Sequence, residues 1–127
     1  MARDKERDDN VYIRHIIDAI SVIEDFTKGF DWSAFLKNKL VHDGVVRELE
    51  IIGEAVNNVS ADFKHAHNNI PWQDIIDMRN KLIHEYFGVD LEIVWKTTQT
   101  SVPELKKVLP HVLFLAPDTA PQAKKPK

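Results

Sequence analysis

Asn10-Val-Tyr-Ile-Arg-His-Ile-Ile-Asp-Ala-Ile-Ser-Val-Ile-Glu-Asp-Phe-Thr27 is the stretch whose spacing decides the fold class. Ile13, Ile16, Ile17, Ile20 and Ile23 recur at steps of three and four, so one apolar stripe runs down a helix from about Asp8 to Thr27. Gly29 supplies a stop, and Asp31-Trp-Ser-Ala-Phe-Leu36 reads as a short helical turn. A second stripe, Val45, Leu49, Ile52, Val56 and Val59, defines a long helix ending near Ser60. Gly53 interrupts it at a cost of about 1 kcal/mol relative to Ala, which points to close packing against another helix.

Downstream, the polar stretch from Asp62 to Asn69 reads as a loop. Pro71 sits at a favoured first-turn position, and a third helix is expected from Trp72 to Phe87, closed by Gly88. Asp90 can cap a fourth helix carrying Leu91, Val94, Trp95, Thr98, Val102 and Leu105, which Pro103 should kink or break. All six prolines lie at or after Pro71, so the first half lacks the frequent turn chemistry that strands need. The expectation is all-α: an antiparallel four- to five-helix bundle over residues 1–116, with a disordered tail over 117–127.

Composition narrows the function. At 127 residues the chain holds one domain, and 43% apolar with 29% charged residues is the balance of a globular protein. The longest apolar run, Val112-Leu-Phe-Leu-Ala116, is far below the roughly 20 residues that cross a bilayer. No cysteine is present, which removes disulfides and thiolate metal sites, and the charged first residues precede no secretory apolar core. A cytoplasmic location, with no membrane partner, is the expectation. Seventeen basic against 20 acidic residues give a net charge of −3, so bulk electrostatics do not favour nucleic acid. Any contact with it must run through a local pocket.

The third helix carries the chemistry. In Asp77-Met-Arg-Asn-Lys-Leu-Ile-His-Glu-Tyr-Phe-Gly-Val-Asp90, Arg79 and Tyr86 fall within about 20° of each other at 100° per residue. They share an arc with Ile75, Leu82 and Ile83. Asn80 and His84 form a second row roughly 140° round from Arg79. Two polar rows on one helix fit a helix lining a cleft or a subunit interface, and a two-fold dimer would present each residue twice. With five arginines and six histidines, Arg-x4-His arises by chance in about one such chain in four. Only two tyrosines exist, so adding Tyr two residues later lowers that about 60-fold.

Arg79-Asn-Lys-Leu-Ile-His84-Glu-Tyr86 resembles the Arg-x4-His-x-Tyr motif of the HepT-like toxins, a branch of the HEPN superfamily. The flanks are similar too: Arg47-Glu-Leu-Glu-Ile-Ile-Gly-Glu-Ala55, Ile70-Pro-Trp72, and Gly88-Val-Asp-Leu-Glu-Ile-Val-Trp95. The resemblance covers roughly residues 8–110. It implies a HEPN-like homodimeric bundle acting as a metal-independent endoribonuclease, the toxin of a type VII-like toxin–antitoxin module. It also implies a partner, a minimal nucleotidyltransferase antitoxin that transfers AMP to the motif tyrosine, here Tyr86.

The residue types suit that chemistry. Metal-free RNA cleavage uses the 2′-hydroxyl as nucleophile and needs a proton acceptor, a proton donor and a cation over the phosphate. His84 can carry the proton near neutrality, and two copies in a dimer supply both acid and base. Arg79 offers a permanent charge in a planar fork matched to phosphate oxygens. Asn80 is expected to orient His84 or the substrate, and Glu54 to pair with Arg79. An AMP on Tyr86 would place a negative phosphate beside that arginine. No cofactor or metal is called for. His65-x-His67 is the one chelating spacing, with only Asp62 nearby. The substrate class is RNA, with tRNA and mRNA both open. Taken singly, each motif residue has a bland role: a salt bridge for Arg79, a surface position for His84 and Asn80, a core position for Tyr86. Trp32, Trp72 and Trp95 read as core anchors. The alternative function is a non-catalytic subunit that presents nucleotide or substrate to a separate nucleotidyltransferase.

Overall fold

The computed structural model describes residues 2–84 and 88–115. Every element among them is helical: α1 (Ala2–Thr27), α2 (Trp32–Lys37), α3 (Lys39–Asn58), α4 (Ala61–Ala66), α5 (Trp72–His84), α6 (Leu91–Gln99) and α7 (Ser101–Leu115). The all-α expectation holds. Five longer helices make the bundle, and α2 and α4, of six residues each, act as connectors. α3 is the central element, packed against α1 and α5 and also touching α2 and α6; α7 closes against α1 and α6.

Both apolar stripes go where their spacing sends them. Ile13, Ile16, Ile20 and Ile23 of α1 are buried, as are Val45, Leu49, Ile52 and Val56 of α3, while Ile17 is half-buried. Each fully buried aliphatic side chain contributes about 1.5–3 kcal/mol, so the α1–α3 seam supplies much of the stability. Trp72 is buried, and Trp32 and Trp95 pack half-buried, both against the buried Phe35 ring with centroids at 6.4 and 4.9 Å.

Caps set the boundaries. Gly29 turns the chain with φ +76°, a left-handed conformation that suits glycine. Asp31 then caps α2 by accepting from the Ala34 amide at 2.9 Å, and Asn38 caps α3 through the Val41 amide at 3.0 Å. Asp90 caps α6 through the amides of Glu92 and Ile93.

Several boundaries differ from the sequence expectation. The first helix begins earlier, at Ala2. The polar stretch after Ser60 is not wholly loop, because Ser60 caps α4 through the Phe63 amide at 3.1 Å. Ser60 is itself held by buried Asp9 of α1, which accepts from its amide at 2.8 Å and its hydroxyl at 2.7 Å. The Trp72 indole N–H ties the end of α4 to the start of α5, donating to the carbonyls of His67 and Lys64 at 3.0 and 3.2 Å.

The fourth helix does break, but at Thr100, before Pro103. Val102 and Leu105 therefore belong to α7. Pro103 falls in the first turn of α7, where its missing N–H has no helical partner to lose. Pro110 lies inside α7, its ring exposed while Leu109 and Val112 beside it are buried. The proposed continuation of α5 to Phe87 and the 117–127 tail lie outside the described residues. No helix among the described residues is long and apolar enough to cross a membrane.

Candidate functional site

Arg79 sits where α5 crosses α3, and Gly53 is what lets it do so. A Cβ built on Gly53 would collide with Cβ of Arg79 and approach its Cγ at 2.5 Å. These atoms lie too near the α5 backbone to swing aside, so any side chain at position 53 forces the helices apart. The glycine's helix-propensity cost is offset by a close approach that presses the stem of Arg79 onto α3.

The guanidinium emerges from that contact into a set of polar partners. Nη2 donates to Oε1 of Glu54 at 2.7 Å, and Nη1 donates to Oδ1 of Asn80 at 2.8 Å. Nε is buried with no hydrogen-bond partner among the described residues. The Arg79 side chain is 21% exposed and Glu54 is 62% exposed, so the carboxylate of the pair stands in solvent while the arginine is mostly covered. A planar fork held at both terminal nitrogens has a fixed orientation that an ammonium would not keep.

The expected Arg79–Glu54 pairing is therefore present. Asn80 differs from expectation in its partner: it bonds Arg79 and so bridges what spacing alone had split into two rows. His84 is the last described residue of α5 and is exposed. It lies five positions after Arg79, about 7.5 Å along the helix axis. Leu82 is buried and Ile75 half-buried, as the shared arc required, but Ile83 is 42% exposed. Ile83 and His84, adjacent in sequence, are thus both exposed. Tyr86 lies outside the described residues.

The remaining sequence candidates are accounted for by local contacts. His67 stacks on Phe63 with centroids at 4.6 Å, and His65 is exposed on α4. Among the described residues, no three His, Cys, Asp or Glu side chains are grouped to hold a metal ion. His42 packs edge-on against Phe35 and lies 3.3 Å from Asp43. Asp43 in turn bonds Lys39, whose ammonium lowers the carboxyl below its ordinary range.

Two cavities were not foreseen. One, of about 350 Å³, is mostly apolar and opens between Ile52 of α3, Ile75 and Met78 of α5, and Leu105 of α7. The other, of about 260 Å³, lies on α3 beside Glu54 and includes Tyr12, His15 and Arg47. A signal for the second was available: residues 47, 51, 54 and 58 follow the helical repeat and share one face of α3.

Comparison with known proteins adds to this geometry. Residues 16–112 match the HepT-like family, described as ribonuclease HepT-like. The chain is 47% identical over 95 residues to "Probable ribonuclease HepT" of Thermococcus cleftensis, covering 75% of this chain and 86% of that one. It is 41% identical over 102 residues to a "Putative RNase" of Caldanaerobacter subterraneus, covering 80% and 91%. A third relative, "Gamma-glutamylcyclotransferase and putative RNase" of Methanocaldococcus jannaschii, is 37% identical over 107 residues. The match takes in 84% of this chain but spans only about half, 48%, of that longer protein. No solved structure matches the chain at a significant level.

Proposed function

The chain belongs to the HepT-like ribonuclease family, and on that premise we propose that it is a metal-independent endoribonuclease that cuts RNA through its own 2′-hydroxyl. The observation that carries the proposal is Arg79: a guanidinium fixed in orientation by Glu54 and Asn80, partly exposed, on the same helix as exposed His84.

In the proposed reaction the 2′-oxygen attacks the adjacent phosphorus and its proton passes to one imidazole. The phosphorus–O5′ bond breaks, and a protonated imidazole supplies the proton that O5′ takes up. The products are a 2′,3′-cyclic phosphate and a 5′-hydroxyl end. Arg79 bears on the non-bridging oxygens, where negative charge accumulates in the transition state. To do so it exchanges one of its present partners for phosphate. Glu54, being mostly exposed, is the partner that can swing away at little cost.

A single imidazole is poorly placed to serve both sides of phosphorus, and a homodimer brings two copies of His84. The open apolar Ile83 beside His84 is what a second copy of α5 would cover. Tyr86 is the proposed acceptor of AMP from a minimal nucleotidyltransferase antitoxin, which would add bulk and negative charge to the motif. Under this reading the protein is the toxin half of a two-component module.

The test is incubation of purified protein with RNA in EDTA. Cyclic-phosphate ends that disappear in both Arg79→Ala and His84→Ala, with helicity retained, support the nuclease. A fork already engaged by Glu54 and Asn80 also fits the second reading, a substrate-presenting subunit. RNA that is bound but stays intact in wild type would select it. An intact-mass gain of AMP on Tyr86 after co-expression with the nucleotidyltransferase tests the modification separately.

A further inference from the structure

The cavity of about 260 Å³ beside Glu54 shares a wall with the arginine site, because the carboxylate that holds Arg79 also lines it. α1 contributes Tyr12 and His15, and α3 contributes Arg47, Ile51 and Glu54. The Tyr12 ring is half-buried against the core and stands edge-on to His15, centroids 6.1 Å apart with an interplanar angle of 86°. That contact limits ring rotation and presents a fixed aromatic surface.

Arg47 differs from Arg79 in how it is held. Its side chain is 70% exposed, and the nearest carboxylate oxygen, on Glu50, is 3.6 Å away, beyond hydrogen-bonding distance. A fixed aromatic ring, an exposed imidazole and a loosely held guanidinium around one small cavity match the needs of a single unpaired base with its phosphate. Sequence-tolerant single-strand sites are built from the same two parts, a stacking ring and a cation on the backbone. The cavity is too small for a duplex.

We infer that Tyr12, His15 and Arg47 form a subsite for one nucleotide of single-stranded RNA, next to the linkage held by Arg79. The inference rests on RNA being the substrate, as proposed above. The base stacks on Tyr12, Arg47 meets a phosphate, and His15 bonds the base edge or the sugar. Arg47 and Glu54 are seven residues apart, about 10 Å along α3, so the subsite takes a neighbouring nucleotide and not the scissile one. Glu50, 3.6 Å away, weakens the pull of Arg47 on phosphate. Stacking therefore carries more of the affinity than charge, in keeping with a chain of net charge −3.

The probe is a fluorescent 2′-O-methyl oligoribonucleotide, which lacks the nucleophilic hydroxyl, titrated by anisotropy into the full chain. Tyr12→Leu, which keeps apolar volume under the ring position, should weaken binding about tenfold, and Tyr12→Phe should restore it. Arg47→Ala, at an exposed position that leaves the core untouched, should weaken binding and lower the slope of log K against log salt by about 0.7. No binding by wild type, or binding to both Tyr12→Leu and Arg47→Ala with wild-type affinity and salt slope, overturns the subsite. Should Tyr12→Leu fail to fold, Arg47→Ala decides alone. The nuclease reading fails on different evidence. Binding that depends on Tyr12 and Arg47 in a chain that cuts no RNA keeps the subsite and removes the nuclease; cutting that is indifferent to both residues does the reverse.

Discussion

Arg79 combines a stem packed on Gly53 with a fork held by Glu54 and Asn80, and the two parts answer to different substitutions. Replacing it with lysine keeps the charge and most of the stem but loses the fork that reaches Glu54 and Asn80 at once. Arg79→Lys is expected to unfold within about 1 kcal/mol of wild type, since its carboxylate partner is mostly exposed. RNA cleavage is expected to fall about a hundredfold, chiefly in kcat, because the role proposed for the fork is to meet transition-state charge. Thermal melts and steady-state kinetics check both halves, and wild-type kcat in the lysine variant would show that charge alone suffices. The part of the motif from Arg79 to His84 was legible in sequence because these residues lie on one helix at a countable spacing. The partnership of Asn80 was not, since spacing describes where Cα–Cβ vectors point and not how far a long arginine folds back.

Between elements, the position of α5 depends on one residue of α3. Gly53→Ala gains helix propensity, but the added methyl meets Cβ of Arg79, and the overpacking is expected to outweigh that gain by about 1–3 kcal/mol. A lower midpoint in chemical denaturation, with cleavage reduced even where the protein is fully folded, is the expected outcome. Unchanged stability would mean that α5 can slide freely on α3. The long helices were legible because each buries one stripe, as Ile13 to Ile23 and Val45 to Val56 show. The shorter features were not. α4 has no buried residue and exists through Ser60, Asp9 and the Trp72 indole, contacts that join distant parts of the sequence. Pro110 is tolerated within α7 because burial of Leu109 and Val112 offsets its penalty of about 3 kcal/mol.

For the molecule as a whole, exposed Ile83 next to His84 marks where the proposed second subunit would sit. Ile83→Asp should leave helicity and the melting midpoint of the monomer nearly unchanged, because the side chain is already exposed. It should shift the mass by light scattering from dimer to monomer and abolish cleavage with it. A dimer that survives Ile83→Asp would place the subunit contact elsewhere.

Lys106 on α7 reaches Glu24 on α1 at 3.0 Å, across 82 positions of sequence, and the last helix lies along the first. The isoleucine face of α1 is synthesised early but gains its final cover only when α7 arrives. A ribosome making this protein must therefore release nearly the whole bundle before the fold can close. Until then the nascent chain displays a greasy ridge that chaperones can hold, and the arginine of α5 stands on an unfinished support. The timing of translation thus sets when any activity can begin.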